Sequence, residues 1–407
     1  MTNANILSGL RVIDCATYIA APCAAVLMAD YGADVIKIER PVTGDPYRSI
    51  RHNPGFPQSE WNYPWIMDAR NKRSIALNLA CTEGREALLR LVANADVFIT
   101  NFQPQLLAKF QLRHSDLSVL NPRLIYASVT GYGEVGPEAE YPGYDVTAYF
   151  ARSGLMNYIR NAGCDPATSP CGYGDHPTSV SLFAAIMMAL YRRLQTGEGA
   201  AVSTNLMHNG VWSNGSFTQA ALCGAQFSPP QTRARAYNPI LNHYCASCGG
   251  RFLLCLLDPA KDWPKLCRAL EHPEWIADPR FATAEARRGS AELIALMDAE
   301  FARYPLEAWR RRFAEHDVLY GLVPETRDLP HDPQMQAAQV FTEIEGAPIP
   351  MKVVSTPFHI AGQPKELPRW APEAGEHTRQ ILGEAGYGEN EIHAMLEAGS
   401  AWTSEAK

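Results

Sequence analysis

The sequence predicts an α/β protein with a doubly wound parallel sheet in a large domain and a second, smaller α+β domain. Three observations lead there. Four short β-branched runs, LRVID (10–14), DVIKIE (34–39), DVFIT (96–100) and RLIYASV (123–129), alternate with helix-like segments, the rhythm of a parallel sheet. Two apolar helices accompany them: APCAAVLMADYGA, with Pro22 near its start and Gly32 at its close, and SVSLFAAIMMALYRRLQTGEG, ended by Gly197 and Gly199. Both are apolar on most faces and are expected in the core. From about 217 to 245 the pattern loosens into a proline-rich, polar stretch, and the strand RFLLCLL (251–257) then opens the smaller domain. Helical stretches follow, the chain turns extended again at VLYGLVPETRDL, and two amphipathic helices, EHTRQILGEAGY and NEIHAMLEAG, close it.

Bulk properties exclude several classes. With 407 residues, 46% hydrophobic and 19% charged, the chain can bury a sizeable core. Its longest apolar runs, 18–29 and 180–191, fall well short of the roughly 20 residues that span a bilayer, so no membrane association is expected. The opening MTNANILSGL has neither the basic nor the apolar region of a secretory signal, and the expected location is the cytoplasm. Ten cysteines should then be free thiols. Only Cys245 and Cys248 form a CxxC pair, which reads as a turn, and no HExxH is present, so no metal site is expected. A net charge of −7 argues against a nucleic-acid surface but leaves room for a concentrated basic pocket.

One motif misleads. GYGEVG (131–136) matches the dinucleotide pattern GxGxxG after a strand, yet Pro137 and Pro142 follow where a helix must begin. The first βα turn, CATYIAAP, has no glycine. A nicotinamide dehydrogenase is therefore a poor reading of this chain.

The candidate for chemistry is Asp175, in CGYGDHPTSVSLFAAI (171–186), between a glycine-rich turn and an apolar helix. A carboxylate there either caps the helix or reacts. Gly172 and Gly174 are expected to offer backbone N–H groups to an oxyanion, with hydroxyls from Thr178 and Ser179. His176 reads as a pocket wall. The cluster Asn71-Lys72-Arg73-Ser74 is a candidate anion contact, and Tyr47, Ile50, Trp61, Trp65 and Tyr144 are candidates for an aromatic acyl pocket.

Taken together, VIKIERPVTGDPYR (35–48), ARNKRSIALNL (69–79), DVFITNFQPQLLAKF (96–110), the segment 131–156 with PGYD, GYGDHPTS (172–179), DPRF (278–281), HDPQMQA (331–337) and GEHTRQIL (375–382) resemble the class III CoA-transferase family of CaiB/BaiF type. That family includes formyl-CoA and carnitine-CoA transferases. The resemblance implies a CoA-binding large domain from residues 1–217 plus 326–407, a small domain over 225–325, and an interlocked homodimer. It places the nucleophile, which becomes an aspartyl-CoA thioester, on Asp175 and a nearby tyrosine on Tyr144. CoA contacts fall on Arg40, on Ala76, Leu77 and Asn78, on Asn101 and Phe102, and on Lys109; with them we group Lys72 and Arg73, and Ala20 beside the substrate-pocket residue Ile19. Ile50, Gly174 and His176 complete the expected substrate pocket.

The implied reaction moves CoA from an acyl-CoA donor to a carboxylic acid acceptor, with no cofactor beyond coenzyme A as substrate. A carboxylate of ordinary pKa, near 4, would be ionised at neutral pH and attack without a base. This chain departs from the family in three places. Ile19 replaces a glutamine of the oxalate-using branch, the NFRPG turn reads NFQPQ, and the glycine-rich lid is replaced by Tyr237–Cys248 with only Gly249 and Gly250 nearby. Two rival readings are an α-methylacyl-CoA racemase and a non-catalytic CoA-binding protein. The racemase needs a base where this chain has Tyr144, and tyrosine, with a pKa of about 10, is a poor one.

Overall fold

A computed structural model describes residues 5–404. The chain divides into two compact units, one of Met1–Met156, Thr168–Gly224 and Ala338–Lys407, the other of Asn157–Ala167 and Ala225–Ala337. The second unit thus takes up residues 157–167 and 326–337, which the sequence reading left in the large domain.

The first unit is built on strands β1 (Arg11–Cys15), β2 (Asp34–Glu39), β3 (Lys72–Leu77), β4 (Val97–Thr100), β5 (Ile125–Thr130) and β6 (Ala200–Asn205), with β12 (Ala401–Trp402) at one edge. Their order is β12-β3-β2-β1-β4-β5-β6, parallel throughout except for antiparallel β12. Alternate residues feed opposite faces, as the strand repeat requires. Val12, Val35, Val97, Ile125 and Ala127 pack under the helices α1 (Ala20–Ala29) and α7 (Asp175–Thr196). Ile13, Ile36, Ile38, Ile75 and Phe98 pack on the other face, against α3 (Thr82–Ala93), α5 (His114–Leu120) and the C-terminal helices Thr378–Glu384 and Glu389–Glu397. The helices α2 (Tyr63–Ala69) and α4 (Pro104–Phe110) and the single turn α6 (Leu155–Tyr158) complete the series up to α7, which α8 (Leu206–Ser213) and α9 (Gly215–Leu222) follow after β6.

Two helix expectations part company here. Every residue of α1 is buried. Helix α7 begins earlier than expected, at Asp175, and only one of its faces is core; Met188, Tyr191 and Leu194 are largely exposed.

Strand order locates the site. The chain runs outward from β1 to β3, then returns to place β4 on the other side of β1, and ligands of doubly wound sheets bind at the carboxyl ends of the strands where this reversal occurs. The loops leaving β1 and β4 are tied there: the Thr17 N–H donates to Asn101 Oδ1 at 2.9 Å, and Asn101 Nδ2 donates to the Thr17 carbonyl at 2.7 Å.

Below this clamp lies a buried ionic group. Lys72 Nζ sits 2.9 Å from Asp14, and Lys37 Nζ lies 3.6 Å from Asp14 and 2.9 Å from Asp45, all with side chains 1% exposed or less. The same ammonium groups donate to the carbonyls of Ala16 (2.5 Å) and Pro22 (2.8 Å), while Asp45 Oδ1 accepts the N–H groups of Tyr18 and Tyr47. Burial would depress the Lys37 ammonium, but Asp14 and Asp45 outweigh it and raise its pKa. For Lys72 burial prevails and the pKa falls.

The second unit carries the three-stranded antiparallel sheet β7 (His243–Cys245), β8 (Arg251–Leu254) and β9 (Tyr320–Val323), over an aromatic core of Trp263, Phe252, Phe301, Trp309 and Phe313. The CxxC pair is the turn between β7 and β8, closed by Ala246 and Gly250. Back in the first unit, β10 (Phe341–Glu343) and β11 (Lys352–Val354) form a separate hairpin.

Removing one partner of a buried ion pair strands the other, so Asp14→Ala should lower unfolding stability by about 3–5 kcal/mol in urea titration. Asp34, a part-exposed partner of Arg11 and Arg73, should lose about 1 kcal/mol or less on the same change. Equal losses would contradict the assignment.

Candidate active site

Asp175 is the first residue of α7, after the N-cap Gly174. It is not the cap, and among the described residues none donates a hydrogen bond to its carboxylate. It faces a cavity of about 430 Å³ at the strand reversal, whose walls include Thr17, Tyr18, Ile19, Ala20, Ile50, Asn101, Phe102 and Tyr144. Neighbouring clefts of about 420 and 430 Å³ share Thr17 and Phe102 with it; one is lined by Arg40, Leu77 and Asn78, the other by Arg40, Asn101 and Lys109.

The glycine turn serves a different purpose from the one expected. The N–H groups of Gly172 and Gly174 both donate to Asp145 Oδ2, at 2.7 and 3.3 Å, and are not free for an oxyanion. Asp145, buried at the start of the π-helical stretch Asp145–Ala151, thereby holds the turn that presents Asp175. Gly172 has φ +92°, and a side chain at Gly174 would lie 2.5 Å from the Tyr149 ring, so both positions require glycine. The hydroxyls of Thr178 and Ser179 are likewise committed, to the carbonyls of Gly174 and His176.

Asp145, Cys171 and Asp175 place their polar atoms within 4.8 Å of one another. Burial first, and then the charge of Asp145, push the Asp175 carboxyl up to about 8, against the opposing pull of His176. The expectation of an ordinary, fully ionised carboxylate therefore fails. Burial and the two aspartates also raise the Cys171 thiol, to about 12.

His176 faces away into a buried chain. Its Nε2 lies 3.2 Å from Asp68 Oδ1, Asp68 Oδ2 accepts from the Tyr47 hydroxyl at 2.7 Å, and its Nδ1 lies 3.0 Å from the Gly172 carbonyl. Burial lowers the imidazole pKa, but the hydrogen bond and charge of Asp68 outweigh it, and the net shift is upward. Tyr144 meets Tyr18 edge to face at 5.7 Å between ring centroids. Tyr18 holds φ +63°, a strained conformation secured by Asp45.

Several expected contacts are corrected. Lys72 is consumed by Asp14, and Arg73 by Asp34 and Glu384, so neither is available to a ligand. Ala76 is buried in β3, its N–H bonded to Thr378 Oγ1. Of the proposed aromatic wall, Ile50 and Tyr144 line the cavity. Tyr47 is buried against Asp68, Trp65 donates to the Pro372 carbonyl, and Trp61 packs on Trp370. Sequence reasoning passed over Tyr18, Asp68 and Asp145; Asp145, next to Tyr144 in PGYD, was within reach as a second carboxylate in a glycine-rich motif.

An α/β sheet whose strand reversal carries a buried carboxylate beside clefts lined by Arg40 and Lys109 defines a protein suited to an anionic ligand. The sequence profile of CoA-transferase family III matches residues 7–378, and the chain belongs to that family. It is a class III CoA-transferase. The chain is 30% identical over 398 residues, 97% of its length and 98% of the relative's, to the (R)-2-hydroxy-4-methylpentanoate CoA-transferase of Clostridioides difficile. It is also 30% identical over 408 residues, 98% and 91% of the two chains, to the succinyl-CoA:glutarate CoA-transferase of Mus musculus. A CaiB/BaiF family protein from Brucella suis has the same fold, with a TM-score of 0.82 at 29% identity over 94% of this chain and 100% of that one. Among the described residues no helix is long and apolar enough to cross a membrane.

Because Asp175 binds its proton more tightly folded than unfolded, where its pKa is near 4, the fold loses stability as pH climbs from about 4 towards 8. Asp175→Asn should raise the melting temperature at pH 8.5 and leave it unchanged at pH 4. No gain at pH 8.5 would count against the raised pKa.

Proposed function

We propose that the chain transfers CoA between carboxylic acids through a covalent aspartyl-CoA thioester on Asp175. The observation that carries this reading is the position of Asp175: a carboxylate of raised pKa that accepts no hydrogen bond among the described residues, facing a cavity that shares walls with clefts lined by Arg40 and Lys109. Ionised Asp175 attacks the donor thioester carbonyl, forming a mixed anhydride and releasing CoA thiolate. The thiolate attacks the aspartyl carbonyl, giving enzyme thioester and free donor acid. An acceptor carboxylate then attacks the thioester to form a second anhydride, and the thiolate takes the acceptor acyl group, restoring Asp175.

A carboxylate of ordinary pKa is far less basic than the thiolate it must displace, which has a pKa of about 8.5. At about 8, Asp175 comes close to matching it, and its nucleophilicity rises accordingly. CoA must stay bound throughout, and Arg40 and Lys109, exposed and without carboxylate partners among the described residues, suit its phosphates. Helix α1 has no side-chain cap, and Ile19 and Ala20 at its N-terminus line the cavity. In place of Gly172 and Gly174, that end is the natural donor to a developing oxyanion. Against a racemase stand the tyrosines across the cavity: burial and Tyr144 raise the pKa of Tyr18, which makes it a poorer base still.

The exposed apolar residues of α7, with Trp212 on α8 and Leu222 on α9, support a homodimer that covers this face. Light scattering should return twice the chain mass; a monomer would contradict it. The two transferase relatives are named for a branched hydroxy acid and for dicarboxylic acids at the same identity, so similarity leaves the acyl class open.

Intact-protein mass spectrometry after brief mixing with acyl-CoAs should show a CoA-sized adduct on Asp175, released by hydroxylamine and absent in Asp175→Ala. Its rate of formation should climb about 50-fold from pH 6 to pH 8, following ionisation of a group near 8. A flat profile, or an adduct that survives Asp175→Ala, would overturn the mechanism.

A further inference from the structure

The cavity in front of Asp175 has a distinctive charge pattern. Among the described residues that line it there is no lysine, arginine or histidine, while two carboxylates, Asp145 and Asp175, stand at its floor. The cations nearest in the fold are placed elsewhere. Arg40 and Lys109 line the neighbouring clefts, and His176 is bound to Asp68. The uncharged wall combines aromatic and aliphatic surface from Tyr18, Ile50, Phe102 and Tyr144 with the neutral polar side chains of Asn53 and Gln103. Tyr141 and Tyr144 are half exposed or more, leaving ring surface for a ligand to cover. A further polar side chain of the lining, Asn101, is committed at both ends to Thr17.

We infer that the acyl groups exchanged at this site are uncharged, aryl or branched-alkyl monocarboxylic acids, and that dicarboxylic acids are rejected. This rests on the transferase reading. In each half-reaction the reacting carboxylate is neutralised on becoming an anhydride or a thioester, so it makes no lasting demand for a cation. A second carboxylate at the far end of the acyl chain stays ionised through every step. Here it would lose water, find no cationic partner and face Asp145, joined by Asp175 whenever that carboxyl is ionised, a repulsion worth about 50-fold or more at separations of several ångströms in a protein interior. An aryl or branched alkyl group loses nothing on entry and gains from apolar burial and ring contacts.

The test is a comparison of 3-phenylpropanoyl-CoA and 4-methylpentanoyl-CoA with succinyl-CoA and glutaryl-CoA. Adduct formation on Asp175 and kcat/KM with the matching acids should favour the first pair by at least about 50-fold. Calorimetric binding of the same thioesters to Asp175→Ala should keep the same order, since Asp145 remains. Ile50→Lys, which places a cation in the cavity, should raise the use of glutaryl-CoA relative to 3-phenylpropanoyl-CoA by about tenfold. Equal or better use of succinyl-CoA by the wild type, or equal binding to Asp175→Ala, overturns the inference. If no donor labels Asp175, the aspartyl-thioester mechanism falls; the binding order then upholds or overturns the acyl preference by itself.

Discussion

Two lysines and two aspartates buried beneath the strand reversal hold the site together. Asp14 and Lys37 are register partners on adjacent strands β1 and β2, and Lys72 reaches the same carboxylate from β3. Each charge would be costly alone, and the burial is tolerable because each cation has a carboxylate and a carbonyl to bond. Those carbonyls belong to Ala16 and Pro22, and Asp45 holds the Tyr18 N–H. The segment from the end of β1 into the first turn of α1 is thus pinned at three points. It delivers Thr17, Tyr18, Ile19 and Ala20 to the cavity, so the shape of the site is a consequence of a buried ionic core.

A second tension sits at the start of α7. The helix N-terminus favours an ionised Asp175, yet burial and Asp145 oppose it, and the opposition prevails. Asp145 cannot be dispensed with, because its carboxylate accepts the two N–H groups that shape the turn. The same residue therefore organises the backbone and raises the basicity of Asp175. The fold bears a cost at high pH for a basic carboxylate in the cavity.

Much of this was legible in the sequence and some was not, for identifiable reasons. Four of the six parallel strands carry short runs rich in β-branched residues and were readable. β3, KRSIAL, was hidden because its lysine and arginine look like a solvated basic turn, when in fact they are buried or half-buried partners of Asp14 and Asp34. β6, AAVSTN, is an edge strand of small and polar residues with little apolar signal. The place of Asp175 at the mouth of an apolar helix was readable from its motif, but its pKa depends on burial and on Asp145, thirty residues upstream, both of which exist only after folding. Lys72 and Arg73 failed as ligand contacts for the same reason: positive charge in a sequence does not reveal whether a carboxylate is waiting in the neighbouring strand. The signal that could have warned of it is charge inside β1 and β2 themselves, since Asp14 and Lys37 interrupt runs otherwise apolar enough to be central strands.

The distribution of cations follows from what the chemistry demands. CoA presents fixed phosphates that stay charged through all four steps, so cations near them bind ground and transition states alike and serve to retain the ligand. A cation beside Asp175 would do the opposite of what is needed: it would lower the carboxyl pKa, weaken the nucleophile and stabilise the resting enzyme. On the proposed mechanism, an acyl cavity without lysine, arginine or histidine among the described residues would preserve the reactivity of Asp175, while Arg40 and Lys109 in the neighbouring clefts would supply affinity. The proposed selectivity against a doubly charged acyl group would then be a by-product of tuning the nucleophile. An enzyme of this architecture that accepts dicarboxylic acids has to place its cation far enough along the acyl chain to meet the distal carboxylate without reaching the aspartate.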